Sequence, residues 1–122
     1  MKILLSINPE YVKKIFSGEK KYEYRRNIFK NKEIESIIIY CTYPIKKIVG
    51  EFLIEKIIKD SPNKLWELSS TKTGITKEKF DSYFLGKEEG YAIKIGKVIE
   101  YSKMKELKDY NIEKAPQSFQ YI

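Results

Sequence analysis

Within the stretch Gly18-Glu19-Lys20-Lys21-Tyr22-Glu23-Tyr24-Arg25-Arg26 the chain gathers two ammonium groups, two carboxylates and two guanidinium groups. Those groups suit recognition of an anion or a nucleobase. Glycine at 18 permits a tight corner, and alternation along an extended segment puts Lys21, Glu23 and Arg25 on one face and Tyr22, Tyr24 and Arg26 on the other. Lys20 then stands at the loop edge, within reach of a phosphate. Arg25 can fork onto a phosphate or a base edge, while Glu23 can accept from an exocyclic amine or an imino hydrogen. Charged neighbours at period two also form ordinary salt bridges, and the residues alone leave both readings open.

Arg25 and Arg26 are the only arginines among 24 basic side chains, the rest being lysine. Guanidinium is planar, permanently charged and forked, so a chain that uses lysine for bulk charge keeps arginine where geometry matters. The net charge is +7, and residues 1–50 carry 11 basic and 5 acidic side chains against 13 and 12 in residues 51–122. The excess surrounds the motif and favours an anionic partner, with an affinity that falls as salt rises.

Histidine is absent, which removes Ser-His-Asp and Cys-His nucleophile pairs, HExxH zinc sites and imidazole proton shuttles. Catalysis would have to use Lys, Glu, Asp, Tyr, Ser or Thr. The single cysteine, Cys41, lies in an apolar run and is expected to be a buried, inert thiol, with no disulfide or CxxC centre. Neither a cofactor nor a metal is expected. No apolar stretch approaches the roughly 18 residues of a membrane span, so a soluble, cytoplasmic protein is expected. At 122 residues and 42% hydrophobic content, a single domain over residues 1–122 is expected.

The elements that position the motif follow from local pattern. Residues 2–7 form a mostly apolar strand expected to be central in a sheet, and Asn8-Pro9-Glu10 starts a helix with the apolar stripe Tyr11, Val12, Ile15 and Phe16, closed by Gly18. The motif strand follows, then a buried strand over 37–42 and a long one over 48–58, bent near Gly50 and paired with it as a hairpin. Ser61-Pro62 and Thr76 open two amphipathic helices, with Trp66 a packing anchor, and residues 91–99 alternate as a half-exposed strand. A short helical turn over 106–112 and an uncharged, packed-down tail over 115–122 finish the chain. The order of elements indicates an α+β fold, a small mixed β-barrel of five to six strands with two to four flanking helices.

Here a resemblance enters. Gly18-Glu19-Lys20-Lys21-Tyr22-Glu23-Tyr24-Arg25 matches the GxKxxExR signature of ASCH domains, in the PUA-like superfamily, and the opening Leu-Ser-Ile-Asn-Pro-Glu-Tyr is similar to stand-alone members. The Gly-Tyr-Ala-Ile strand and the Pro-Gln-Ser-Phe tail extend the likeness over most of the chain. It implies a barrel whose cleft, between the sheet and a helix, is lined by the signature residues and binds RNA or a modified nucleotide. Some relatives resemble amidohydrolases that deacylate modified cytidine with a lysine-activated threonine; Lys20 matches that lysine, but Glu23 stands where the threonine would be. Other ASCH proteins look like ribonucleases, so the alternative to a binding module is a metal-free hydrolase acting on RNA or modified nucleosides, with Lys20 and Glu23 the candidate catalytic residues in acid-base roles and a tyrosine, Ser6 or Ser118 the other groups able to transfer a proton. A module that captures an acidic peptide would use the same charges.

Most of the rings among 10 tyrosines and 6 phenylalanines are expected in the core. Tyr43, beside Pro44, and Phe119, in the tail, are the two rings expected to offer stacking surfaces for an unpaired base. Ser6 and Ser118 either face the same cleft or cap local backbone. The expected binding set is therefore Ser6, Lys20, Glu23, Arg25, Arg26, Tyr43, Ser118 and Phe119, and the oligomeric state is left open.

Overall fold

The computed structural model describes residues 2–69 and 71–122. Six strands form one mixed sheet in the order β2-β5-β4-β3-β1-β6, curled into a half-barrel. They are β1 (Lys2–Ile7), β2 (Tyr22–Arg25), β3 (Ser36–Cys41), β4 (Lys47–Asp60), β5 (Gly90–Lys105) and β6 (Phe119–Tyr121). Three α-helices flank them: α1 (Pro9–Ser17), α2 (Pro62–Ser69) and α3 (Lys77–Tyr83). Strands β1 and β3 run parallel, and every other pairing is antiparallel.

Strand β1 lies between β3 and β6, and its two apolar faces serve two cores. Ile3, Leu5 and Ile7 pack with Val12 and Ile15 of α1 and with Ile37 and Ile39 of β3. On the reverse side Leu4, Ile38, Tyr40 and Ile48 are covered by Ile112 and the chain around it. A third cluster, Tyr24, Leu65, Phe80, Phe84 and Ala92, seats α2 and α3 against β2 and β5, with Trp66 tilted over Phe80 at 4.9 Å. Full burial of each such side chain is worth roughly 1.5–3 kcal/mol.

Local sequence accounts for the helix ends. The Asn8 side chain accepts from the Glu10 N–H at 3.0 Å, Pro9 occupies the first turn, and Gly18 ends α1 at φ 86°. Gly50 answers to packing: a Cβ there would lie 2.5 Å from the Ile99 carbonyl oxygen and 2.8 Å from the Phe16 ring. Pairing slips beside it, between Ile48 and Gly50 against β5, an irregularity of the kind that bends a strand locally.

Strand β4 exceeds the sequence reading by one residue at its start and two at its end, and β5 and the tail depart from it further. Strand β5 runs to Lys105, six residues beyond 99, because the polar end from Glu100 to Lys105 pairs with β4 at Gly50 and Ile48. The uncharged tail does pack down, but as strand β6 on β1. Cys41 is buried, as its apolar surroundings predict. Among the described residues no helix is long and apolar enough to cross a membrane, and no group of three His, Cys, Asp or Glu side chains is arranged to hold a metal ion.

Candidate nucleotide-binding cleft

Lys20 leaves α1 through the Gly18 corner with its N–H on the Lys14 carbonyl at 3.1 Å, and Lys21 is then held between the Lys72 carbonyl and the Ile95 N–H. That path turns the Lys20 side chain inward. It is 2% exposed, so it does not stand at a loop edge as expected from the sequence. Its Nζ donates to the Thr73 carbonyl at 2.9 Å and lies 5.1 and 4.9 Å from the Tyr11 and Tyr24 ring centroids. Burial pushes its pKa below the usual lysine value; Glu23 opposes that shift, and Lys14 adds to it.

Residues two apart on β2 point together, and Glu23 and Arg25 do pair, with Nη1 to Oε2 at 3.1 Å. The second arm of Arg25 goes elsewhere: Nη2 donates to Ser118 Oγ at 2.8 Å, across 93 residues of chain. Ser118 is set in place by its carbonyl, which accepts from the Ser6 N–H at 3.2 Å, while Ser6 Oγ donates to the Pro116 carbonyl at 2.6 Å. Both serines thus clasp the tail to β1, a long-range role that replaces the expected local capping.

Lys20, Glu23 and Arg25 line one hollow of about 200 Å³, together with Ser6, Tyr11 and Tyr83. A second hollow of about 310 Å³ shares Ser6, Arg25 and Tyr83 and adds Arg26 and Ser118. Arg25 therefore stands at the junction of the two. Tyr83 accepts the Arg26 N–H at 3.0 Å, and burial raises its pKa against the opposing charge of Arg25, so it keeps its own proton at neutral pH.

Six of the eight expected binding residues meet here: Ser6, Lys20, Glu23, Arg25, Arg26 and Ser118. The two chosen rings lie elsewhere. Tyr43 is 80% exposed in the turn between β3 and β4 and lines neither hollow, and Phe119 packs its ring against Phe29 and Tyr121 at 5.9 and 6.1 Å. The rings actually present are Tyr11, Tyr24 and Tyr83. Tyr11 was visible in the sequence only as part of the α1 stripe. A larger hollow of about 730 Å³ beside Leu107 and Ile112 mixes Lys46 and Lys108 with Glu106 and Glu113 and brings no buried charges together.

The ASCH domain family model matches residues 5–117. The chain is 31% identical over 121 residues to a protein of Ureaplasma parvum named large ribosomal subunit protein uL22, covering 98% of this chain and 39% of that relative. It thus spans about two fifths of the length of the curated relative it matches. It is 33% identical over 89 residues, 73% of this chain and 60% of that protein, to the ASCH domain-containing ribonuclease of Zymomonas mobilis. The crystal structure of ASCH from Zymomonas mobilis superposes with a TM-score of 0.90 at 27% identity, covering 99% of this chain and 87% of that one. With a curled six-stranded sheet of the PUA-like kind and the signature residues gathered in its cleft, the chain belongs to the ASCH domain family.

Proposed function

We propose that this chain binds RNA, as an unpaired nucleotide or one with a modified base, in the paired hollows around Arg25. One observation carries the reading: an ammonium, a carboxylate and a guanidinium that are largely withdrawn from solvent converge on a single hollow of about 200 Å³. Buried charges cost several kcal/mol of solvation, and a surface that needed only a salt bridge would not gather three of them. At that size, below the roughly 300–1,000 Å³ of drug-sized pockets, the hollow suits one base or one phosphate. The Arg25 N–H groups not engaged by Glu23 and Ser118 take a phosphate, Glu23 accepts from a base edge through the oxygen not paired to Arg25, and the neighbouring tyrosines offer apolar walls.

Cleavage of RNA is the second reading, favoured by the lowered proton affinity of Lys20 and by the name ribonuclease carried by one relative. In such a reaction the 2′-oxygen bonds to phosphorus as the bond to the 5′-oxygen breaks, leaving a 2′,3′-cyclic phosphate. Lys20 in its neutral form would take the 2′-proton, Arg25 would neutralise the phosphorane, and Tyr83 would supply a proton to the leaving oxygen.

Titration of fluorescently labelled single-stranded RNA at low salt tests binding. Saturable binding that Arg25→Lys weakens at least 10-fold supports the cleft, since lysine keeps the charge and loses the fork. Equal binding by both proteins removes it. Cleavage is tested by prolonged incubation with end-labelled RNA, in which cyclic-phosphate products must appear and must vanish with Lys20→Met.

A further inference from the structure

The cleft does not end at Arg26. A groove of about 990 Å³ begins at Asn27, which also walls the hollow holding Arg26, and runs between the β2–β3 loop and strands β4 and β5. Lys30, Lys32 and Lys59 line it, with Tyr91 and Asn31, over a floor of Ile54 and Ile57, and no acidic side chain lines it. Sheet register ties the groove to the cleft: Tyr91 is the direct partner of Arg25 on β2 and of Lys59 on β4. Direct antiparallel partners share a face, so Arg25, Tyr91 and Lys59 form one row across three strands.

The loop that carries Lys30 and Lys32 is a fixed wall. Phe29 and Ile34 anchor it in the core at 6% and 7% exposure, and the Tyr121 hydroxyl accepts from the Lys30 and Asn31 N–H groups at 3.1 and 3.2 Å. Lys30, Lys32 and Lys59 are left exposed, and the nearest acid to Lys59 is a loose 3.9 Å contact with Glu89, itself exposed. Such a wall presents preorganised cations beside an aromatic ring, the combination that tracks a single nucleic-acid strand.

We infer that this groove holds the nucleotides flanking the one in the cleft, with phosphates on Lys30, Lys32 and Lys59 and a base against Tyr91. The inference rests on the RNA reading of the cleft. Its consequence is that affinity depends on strand length.

The test compares 2′-O-methyluridine monophosphate with a 2′-O-methyl uridine hexamer, neither of which can be cleaved through a 2′-oxygen. The wild-type protein should bind the hexamer at least 10-fold more tightly than the monomer. The triple variant K30A/K32A/K59A should lose that advantage, flatten the log-log salt dependence of hexamer binding by about 2, and keep its affinity for the monomer. A control that removes three exposed lysines elsewhere, K64A/K103A/K114A, should keep most of the advantage and shows that groove position, beyond net charge, matters. Equal monomer and hexamer affinity in the wild type overturns the inference while leaving the cleft reading intact, as does hexamer binding that the groove and control variants weaken alike. Displacement of the hexamer by poly-glutamate at matched charge would assign the groove to acidic proteins and overturn it too. Failure of the wild type to bind either probe removes the cleft reading and this inference together.

Discussion

A Cβ on Gly74 would lie 2.4 Å from the Cβ of Lys20, so the glycine is what allows the 71–76 loop to close over the lysine stem. The same loop presents the Thr73 carbonyl to Lys20 Nζ, and its Gly74 carbonyl accepts from Lys14 Nζ at 3.3 Å. Gly18 offers the natural comparison. Both glycines have positive φ, 66° at Gly74 and 86° at Gly18, but a Cβ at Gly18 meets nothing within 4 Å. Gly18→Ala should therefore cost about 1 kcal/mol, from backbone strain alone, whereas Gly74→Ala adds overpacking and should cost about 2–4 kcal/mol. Urea denaturation of the two variants checks the difference, and equal losses would show that the roof is not tight.

Lys20→Met should change the pH dependence of stability in a defined direction. Burial lowers the folded pKa of Lys20 below its ordinary 10.5, so between those two values the unfolded state binds more protons than the native one. Stability of the wild type should therefore rise relative to the Met variant as pH climbs through the folded value toward 10.5. Paired denaturation curves measure the difference, and a gap that stays flat or shrinks with pH contradicts a desolvated ammonium.

Arg25→Ala should weaken the fold as well as the binding. The pair it breaks is withdrawn from water, with side chains 13% and 8% exposed, and the Glu23 carboxylate would be left without its partner. The expected cost is about 2–4 kcal/mol. Adding Glu23→Gln should recover at least half of that stability and none of the RNA affinity. Recovery of both would mean that Arg25 serves only the fold.

Tyr24 predicts an alkaline loss of stability. Burial raises its pKa to about 12, and its hydroxyl lies 2.5 Å from Ser69 Oγ, which already donates to the Leu65 carbonyl, so Tyr24 is the donor of that pair. The folded pKa lies above the unfolded one. The contribution is present in full below pH 10 and is lost as pH rises to about 12, a change on the order of 2 kcal/mol. Tyr24→Phe should flatten the decline over that window, and an identical decline in both proteins would contradict the assignment.

What the sequence made legible was what short-range rules govern. Asn8, Pro9 and Gly18 mark the ends of α1 because caps act within one turn, and period two alone places Glu23 beside Arg25. The inward turn of Lys20 was not legible, because its acceptor, the Thr73 carbonyl, lies 53 residues away in the connection between α2 and α3. Tyr83 and Ser118 reach the site through tertiary contacts of the same kind. Phe119 lines neither hollow, and a ring in an uncharged tail reads alike whether it faces a ligand or pairs as β6 on β1. At Tyr43 the proline correctly marked a turn, but nothing local says which part of the surface that turn occupies.

A nucleotide that enters the hollow shared by Lys20, Glu23 and Arg25 must perturb the residues lining it. Amide chemical-shift mapping with a single-stranded RNA hexamer at low salt tests it most directly. Saturable shifts are expected at Ser6, Tyr11, Glu23, Arg25, Tyr83 and Ser118, with little change from Leu107 to Glu113. Shifts centred on the 107–113 surface, or none at the six cleft residues at saturating RNA, would contradict it.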